Sequence, residues 1–288
     1  EREVELFGPP ARLLLVSALP LRDDDGEPLG AIALIDDITE QQRLDAMRRD
    51  FVTNISHELK TPIGALSLLV EAMKGESDRA TIDRLGDRIQ CEAERLAGTI
   101  DDLLVLSRIE HEDQFERESV TVTAVIEQAV SRLRSAAEQR DVHLNVVTPP
   151  APLVVEADLR QLVSAVFNLV DNAVKYSDAG STVSVRARRV DAKIEILVQD
   201  SGYGIPRRDL DRIFERFFRV DRARTRDSGG TGLGLAIVRH VMANHGGSVR
   251  VESTEGEGSV FTLELPAPLG SEEQSAPDAR GDSEEVER

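Results

Sequence analysis

Two stretches of this chain place reactive side chains at spacings that chemistry can use. The first is Phe51-Val-Thr-Asn-Ile-Ser-His57-Glu58-Leu-Lys-Thr61-Pro62. Phe51, Ile55 and Leu59 recur every fourth residue, which predicts a helix with one buried stripe. His57 lies off that stripe, so its imidazole is expected to face water or a partner. A neutral imidazole is a competent nucleophile at about pH 7. Glu58, accepting a proton from one ring nitrogen, would make the other more nucleophilic. Adjacent residues do not share a helix face, so Glu58 must reach sideways, and Pro62 is expected to kink the helix just past it. Thr61 follows one turn after His57 and projects from the same face. The bland alternative is a surface His beside a solvated Glu.

The second stretch runs from 168 to 235 and holds four clusters. Asn168, Asn172 and Lys175 fall at i, i+4 and i+7, one face of a helix, with Tyr176 next. Two carboxamide oxygens and an ammonium on one face suit a hydrated Mg²⁺ and phosphate oxygens, because Mg²⁺ takes oxygen ligands and keeps waters. In Asp200-Ser-Gly202-Tyr-Gly204-Ile-Pro206 the glycines let backbone pass close to a flat ligand. Asp200, at a strand end, can accept a hydrogen bond from an exocyclic amine. Ile213-Phe-Glu-Arg216-Phe217-Phe218-Arg219 sets aromatics beside cations. Asp227-Ser-Gly229-Gly230-Thr231-Gly232-Leu233-Gly234-Leu235 is a pliable loop opening onto a helix N-terminus, a ready phosphate site. It lacks the Lys of a Walker motif and the spacing of a dinucleotide fingerprint. Each cluster alone has an ordinary reading: a polar helix face, a capped turn, a helix plugging Phe into a core.

The elements that must position these residues follow from the same pattern. From Thr39, a candidate N-cap, apolar residues continue at spacings of three and four through Met73, with a break at Lys74-Gly-Glu-Ser-Asp. A second helix is expected from Arg79 to Glu110, with Ile82, Leu85, Ile89, Ala93, Leu96, Ile100 and Leu103 in near-heptad order. Two long helices with one apolar stripe each cannot close a core alone. Pairing the hairpin with its copy gives a four-helix bundle, so a homodimer is expected. Residues 113–119 read as a hinge. Residues 120–266 alternate strands and helices: a helix at 122–140, strands at 143–147 and 153–156, and a helix at 158–176. A hairpin of 182–190 with 193–199 follows, then a helix at 233–245 and strands at 248–253 and 259–265. Helices on one side of a mixed sheet, an α/β two-layer sandwich, would bury these faces. The fold class is thus α+β and multidomain. Residues 1–38 hold two strand-like runs, 11–21 and 29–38, and residues 267–288 are expected to be a disordered acidic tail.

Composition bounds the function. The chain has 288 residues, a net charge of -18 and 3% aromatics, so it has no basic surface for nucleic acid and builds its cores from aliphatic side chains. Residues 271–288 alone carry seven acids against two Arg. The single Cys91 excludes an intrachain disulfide framework, suits a reducing compartment and is expected to be a packed small residue. No apolar run is long enough to span a bilayer. The first residue is Glu1 rather than Met, so a fragment is expected. His240 and His245 read as capping or surface residues at the end of the last helix.

Ser56-His57-Glu58-Leu-Lys-Thr61-Pro62 resembles the phosphoacceptor box of sensor histidine kinases, and the four clusters resemble, in order, the N, G1, F and G2 boxes of their ATP-binding domain. The resemblance covers about residues 40–266. It implies a dimerisation and phosphotransfer hairpin at 39–112, a catalytic ATP-binding domain at 120–266, and the end of a PAS-like sensor domain at 1–38. It further implies ATP and Mg²⁺ as cofactors, with Asn168 and Asn172 on the metal, Asp200 on adenine and Gly229 to Gly234 over the phosphates. Lys175, Tyr176, Gly202, Gly204, Arg219, Thr231 and Leu233 are further implied contacts. His57 would become phosphorylated, Glu58 would assist it, and Thr61 would position water in dephosphorylating a partner response regulator. The implied setting is the cytoplasmic portion of a membrane-anchored bacterial sensor, its membrane contact made through a missing N-terminal segment. Two other readings compete: a non-catalytic dimeric scaffold, and a chaperone- or topoisomerase-like ATPase.

Overall fold

Strand-like alternation gives way to a three-and-four spacing at Thr39, and the computed structural model turns from sheet to helix at that residue. The structure describes residues 2–22, 24–111, 117–220 and 230–268. The chain divides into two compact units, Glu1–Leu96 and Ala97–Arg288.

The first unit begins with β1 (Arg2–Leu6), β2 (Arg12–Arg22) and β3 (Pro28–Asp37), an antiparallel sheet with β2 in the middle. The expected runs 11–21 and 29–38 are β2 and β3. β1 went unread because Arg-Glu-Val-Glu-Leu is short and charged, and its pairing to β2 is what makes it a strand. Helix α1 (Thr39–Lys74) follows directly. Thr39 is its first helical residue rather than its N-cap. The Thr39 hydroxyl donates to Asp37 Oδ1 at 2.5 Å and accepts from the Leu13 N–H at 2.8 Å, so it is already engaged and clips the helix to β2. The helix runs unbroken through Pro62. Gly75 to Asp78 turn the chain, and Asp78 accepts from the Thr81 N–H at 3.0 Å as an N-cap for α2 (Arg79–His111). Phe51, Ile55, Leu59, Leu66, Leu69, Ile82, Leu85 and Ile89 are only half-buried in the single chain. Cys91 lies off that stripe and is exposed rather than packed.

The second unit holds the last turns of α2, from Ala97, and a mixed domain. Strand β4 (Glu118–Thr121) pairs with β6 (Val154–Ala157). Strands β5 (His143–Val147), β7 (Thr182–Val190), β8 (Lys193–Asp200), β9 (Ser248–Thr254) and β10 (Gly258–Pro266) form one sheet in the order β5-β7-β8-β10-β9. Only β5 and β7 are parallel. Helix α5 (Leu159–Lys175) makes the crossover between them, as parallel pairing demands. It packs against α3 (Val122–Ser131) and α6 (Gly234–Asn244). One helix was expected over 122–140. The structure breaks it into α3 and α4 (Arg134–Gln139), where the Ser131 hydroxyl donates to the Gln128 carbonyl at 2.9 Å and competes with the helical ladder.

The core lies between helices and sheet. Leu162, Val166, Leu169, Ile196, Ile237 and Leu263 have no exposed surface. Each such side chain contributes roughly 1.5–3 kcal/mol of burial. Across the other face, Glu195 and Glu264 are buried under Arg188, Arg250 and Lys193, which pair with them through Arg188–Glu195 at 2.7 Å, Lys193–Glu264 at 2.8 Å and Arg250–Glu264 at 2.5 Å.

Candidate active site

The first unit presents the imidazole expected to react. His57 is exposed on α1, and its imidazole makes no hydrogen bond among the described residues, Glu58 included. The side chain of Glu58 is half-buried beside it. Thr61 donates its hydroxyl to the His57 carbonyl at 3.1 Å. Pro62, having no N–H, leaves the Glu58 carbonyl one turn back without its helical donor. The nucleophile expected from the sequence is thus accessible and uncommitted, while the assistance of Glu58 is not formed in this conformation.

In the second unit, α5 carries its polar face along the expected line. Asp158 caps the helix, accepting from the N–H groups of Arg160 at 2.9 Å and Gln161 at 3.1 Å. Asn168 donates its amide to the Ser164 carbonyl at 2.9 Å, which turns Oδ1 toward the start of α6. A Cβ at Gly234 would stand 2.5 Å from that oxygen. One turn on, the Asn172 carboxamide makes no hydrogen bond among the described residues. Lys175 is not a lone ammonium: it pairs with Asp171 at 2.6 Å. Tyr176 ends the helix, and its carbonyl accepts from the Tyr203 N–H at 3.3 Å.

Asp200 closes β8. Its Oδ1 accepts from the N–H groups of Gly202 at 2.9 Å and Ser259 at 3.2 Å, which leaves Oδ2 outside both bonds. The residue is buried, and burial pushes its carboxyl above the usual carboxylate range. Gly202 passes so close to α5 that a Cβ there would lie 2.2 Å from the Tyr176 carbonyl oxygen. Gly204 follows in a turn pinned by the Ile205 N–H donating to Ser253 Oγ at 2.8 Å.

The aromatic cluster and the glycine loop interlock. Ile213 and Phe217 are buried, and Arg212 lies over the Phe218 ring at 4.4 Å. Phe217 has φ 62° and donates its N–H to the Gly232 carbonyl at 2.9 Å. Gly232 itself has φ 73°, with the Phe217 backbone where a side chain would start. Arg219 is half-buried at the end of this cluster. Gly230 faces the Tyr176 hydroxyl. Thr231 Oγ1 accepts from the Leu233 N–H at 3.2 Å, and Leu233 is buried. The Gly229 half of the loop lies outside the described residues. The arrangement brings Tyr176 to Gly202 and Gly230, and Asn168 to Gly234, so glycine-lined backbone surrounds the polar end of α5.

Sequence reasoning missed two participants. Asp102, on the last turns of α2, accepts from the Thr231 hydroxyl at 2.7 Å. His245, expected at a surface, is 2% exposed. Its Nε2 accepts from the Asp158 N–H at 3.0 Å while Nδ1 faces the Val241 carbonyl at 2.7 Å, so it ties the end of α6 to the cap of α5. Burial holds its pKa below the ordinary imidazole value. Neither was legible locally, since Asp102 and Thr231 are 129 residues apart and His245 meets Asp158 across 87.

A histidine-bearing helical hairpin followed by a glycine-lined site on a two-layer ATPase-like domain defines the class, and comparisons with known proteins agree. The His Kinase A (phospho-acceptor) domain matches residues 47–112, and the Histidine kinase-, DNA gyrase B-, and HSP90-like ATPase family matches residues 157–269. The sensor-like histidine kinase SenX3 of Mycolicibacterium smegmatis is 44% identical over 270 residues, an alignment covering 93% of this chain and 68% of that protein. The sensor histidine kinase WalK of Bacillus subtilis is 37% identical over 273 residues, covering 92% of this chain and 43% of that protein. The chain therefore spans between 43% and 68% of the length of these two relatives. The histidine kinase ThkA, solved in complex with the response regulator protein TrrA, shares the fold with a TM-score of 0.62 at 24% identity, over 92% of this chain and 79% of that one. The chain belongs to the sensor histidine kinases. No described helix is long and apolar enough to cross a membrane.

Proposed function

We propose that this chain transfers the γ-phosphoryl group of ATP to His57 and then to an aspartate of a response regulator. The observation that carries this reading is an exposed, uncommitted imidazole on α1 in the same chain as the glycine-lined site around Asp200. One ring nitrogen of His57 attacks the γ-phosphorus, the bond to the ADP oxygen breaks, and Glu58 takes up the ring proton. Asp200 reads the adenine amine through Oδ2, and the 230–234 backbone surrounds the phosphates. Gly202 and Gly204 let the backbone approach the base, while Lys175, Tyr176, Arg219, Thr231 and Leu233 complete the surroundings.

The residues present fit a magnesium ion: Asn172 offers a carboxamide oxygen with no other described partner, and Asn168 lies one turn away. Bound there, Mg²⁺ would neutralise phosphate charge. The remaining parts of the proposal are a homodimer, a phosphatase duty for Thr61 toward the regulator, and a place as the cytoplasmic portion of a membrane-anchored sensor. They extend to the division of the chain into 1–38, 39–112, 113–119, 120–266 and 267–288. Incubation with γ-labelled ATP tests the reading. Wild type should acquire acid-labile, base-stable label, and His57→Gln should acquire none while binding nucleotide within about twofold of wild type. Label on the variant would place the acceptor elsewhere. Free phosphate without any labelled protein would mark an ATPase instead.

A further inference from the structure

The carboxylate of Asp102 has no part in the proposed chemistry, yet it sits against Thr231 of the glycine loop. It accepts a hydrogen bond from the Thr231 hydroxyl at 2.7 Å, while the same hydroxyl oxygen accepts from the Leu233 N–H at 3.2 Å, one residue before α6 begins. With Asp102 in place, that proton points at α2 and is not available to a phosphate. The charges facing Asp102 are Lys175 and Asp171 on α5 and its own neighbour Asp101. The one cation among them is already paired with Asp171 at 2.6 Å. Into this surplus of negative charge the proposed reading brings a triphosphate.

We infer that Asp102 competes with the nucleotide's phosphates for Thr231 and the loop backbone around it, so that ATP binding and docking of the last turns of α2 against Thr231 oppose one another. The inference rests on the ATP reading given above. Its physical content is like-charge repulsion in a partly buried place, where water screens poorly. Linkage makes the effect reciprocal: if Asp102 lowers ATP affinity, ATP loosens Asp102 and the turns of α2 around it by the same factor. Leu106 and Ile109, buried on the same turns, would be released with it. Burial also pushes the Asp102 carboxyl above its ordinary range, so protonation relieves the repulsion at a higher pH than for an exposed carboxylate.

The test uses the whole chain and compares displacement of a fluorescent ATP analogue by ATP and by adenosine, with Mg²⁺ present. Asp102→Asn and Asp102→Ala should bind ATP roughly tenfold more tightly than wild type, with adenosine affinity unchanged. Asp87→Asn, which removes an exposed carboxylate about four turns earlier on α2, serves as the control and should leave both affinities unchanged. As the pH falls, wild-type ATP affinity should converge on that of Asp102→Asn. Hydrogen exchange in residues 97–109 of wild type should quicken with ATP and not with adenosine. Unchanged ATP affinity in both Asp102 variants, or an equal gain for adenosine, would overturn the competition while leaving the kinase reading intact. Failure of wild type and both variants to bind ATP would overturn the kinase reading and the competition together.

Discussion

Asp200 and Gly202 work as one unit. The carboxylate is useful at a strand end only if it cannot swing, and the N–H groups of Gly202 and Ser259 both hold Oδ1. That leaves Oδ2 outside both bonds, the oxygen that reads the adenine amine under the proposed function. Gly202 is required for its missing Cβ rather than for its dihedral angles, since the Tyr176 carbonyl occupies the space. Gly202→Ala should therefore cost about 1–3 kcal/mol of stability, the usual range for overpacking, and should weaken nucleotide binding through Asp200. Thermal unfolding and a nucleotide titration would measure this, and a variant matching wild type in both would show that the α5 end yields freely. The glycines were legible in sequence as a cluster, whereas the Tyr176 carbonyl that excludes a side chain at Gly202 belongs to the end of α5 and was not. Nor was the pairing of Lys175 with Asp171, because an i, i+4 contact competes with a ligand that the sequence only implies.

At the scale of elements, α5, with its fully buried Leu162, Val166 and Leu169, was legible in its periodicity, whereas the break between α3 and α4 inside the expected 122–140 helix was not. Nor were short elements defined by a distant partner. Glu118 and Ser119, the first half of β4, read as hinge until β6 pairs with them. The same holds for the tie between α6 and α5, which exists only once His245 reaches Asp158. A pH dependence follows from that tie. His245 accepts a backbone N–H through Nε2, and its pKa is depressed from 6.5 by burial first, then by the charge of Arg117, against the raising effects of the Val241 carbonyl and Asp158. The unfolded chain thus takes up a proton below about pH 6.5 that the folded chain refuses, so stability is full above that pH. It falls as the pH drops from there toward the depressed value. His245→Gln should be less stable at neutral pH yet flatter across this window, as unfolding midpoints at several pH values would record. Parallel profiles for the two proteins would mean that His245 titrates as an exposed imidazole does. Glu264 acts in a separate, more acidic window. Lys193 first lowers its pKa from 4.5, so its contribution is lost only as the pH falls below that value.

For the molecule as a whole, the hairpin leaves apolar side chains in water. Ile63 is 52% exposed and Val70, seven residues on along the same face of α1, is 38% exposed. A second copy of the hairpin would cover such a stripe and complete a four-helix bundle. Light scattering on the chain should therefore give twice its 31.6 kDa, and Ile63→Glu with Val70→Glu should shift the mass toward a single chain. A folded wild-type monomer would remove the burial argument.

The strand order β5-β7-β8-β10-β9 carries a consequence for how the protein is made. Strand β10, the last described element, lies between β8 and β9 and supplies the Ser259 N–H that fixes Asp200. A nascent chain stalled before Gly258 holds every other part of the sheet but has β8 and β9 unpaired on the sides β10 will fill. Synthesis proceeds from the N-terminus at roughly 5–20 residues per second, so the hairpin emerges well before that closing strand. A truncated product would carry an accessible His57 and no anchored Asp200. Premature termination should therefore yield a chain that accepts no phosphate from ATP on its own, rather than an unregulated kinase.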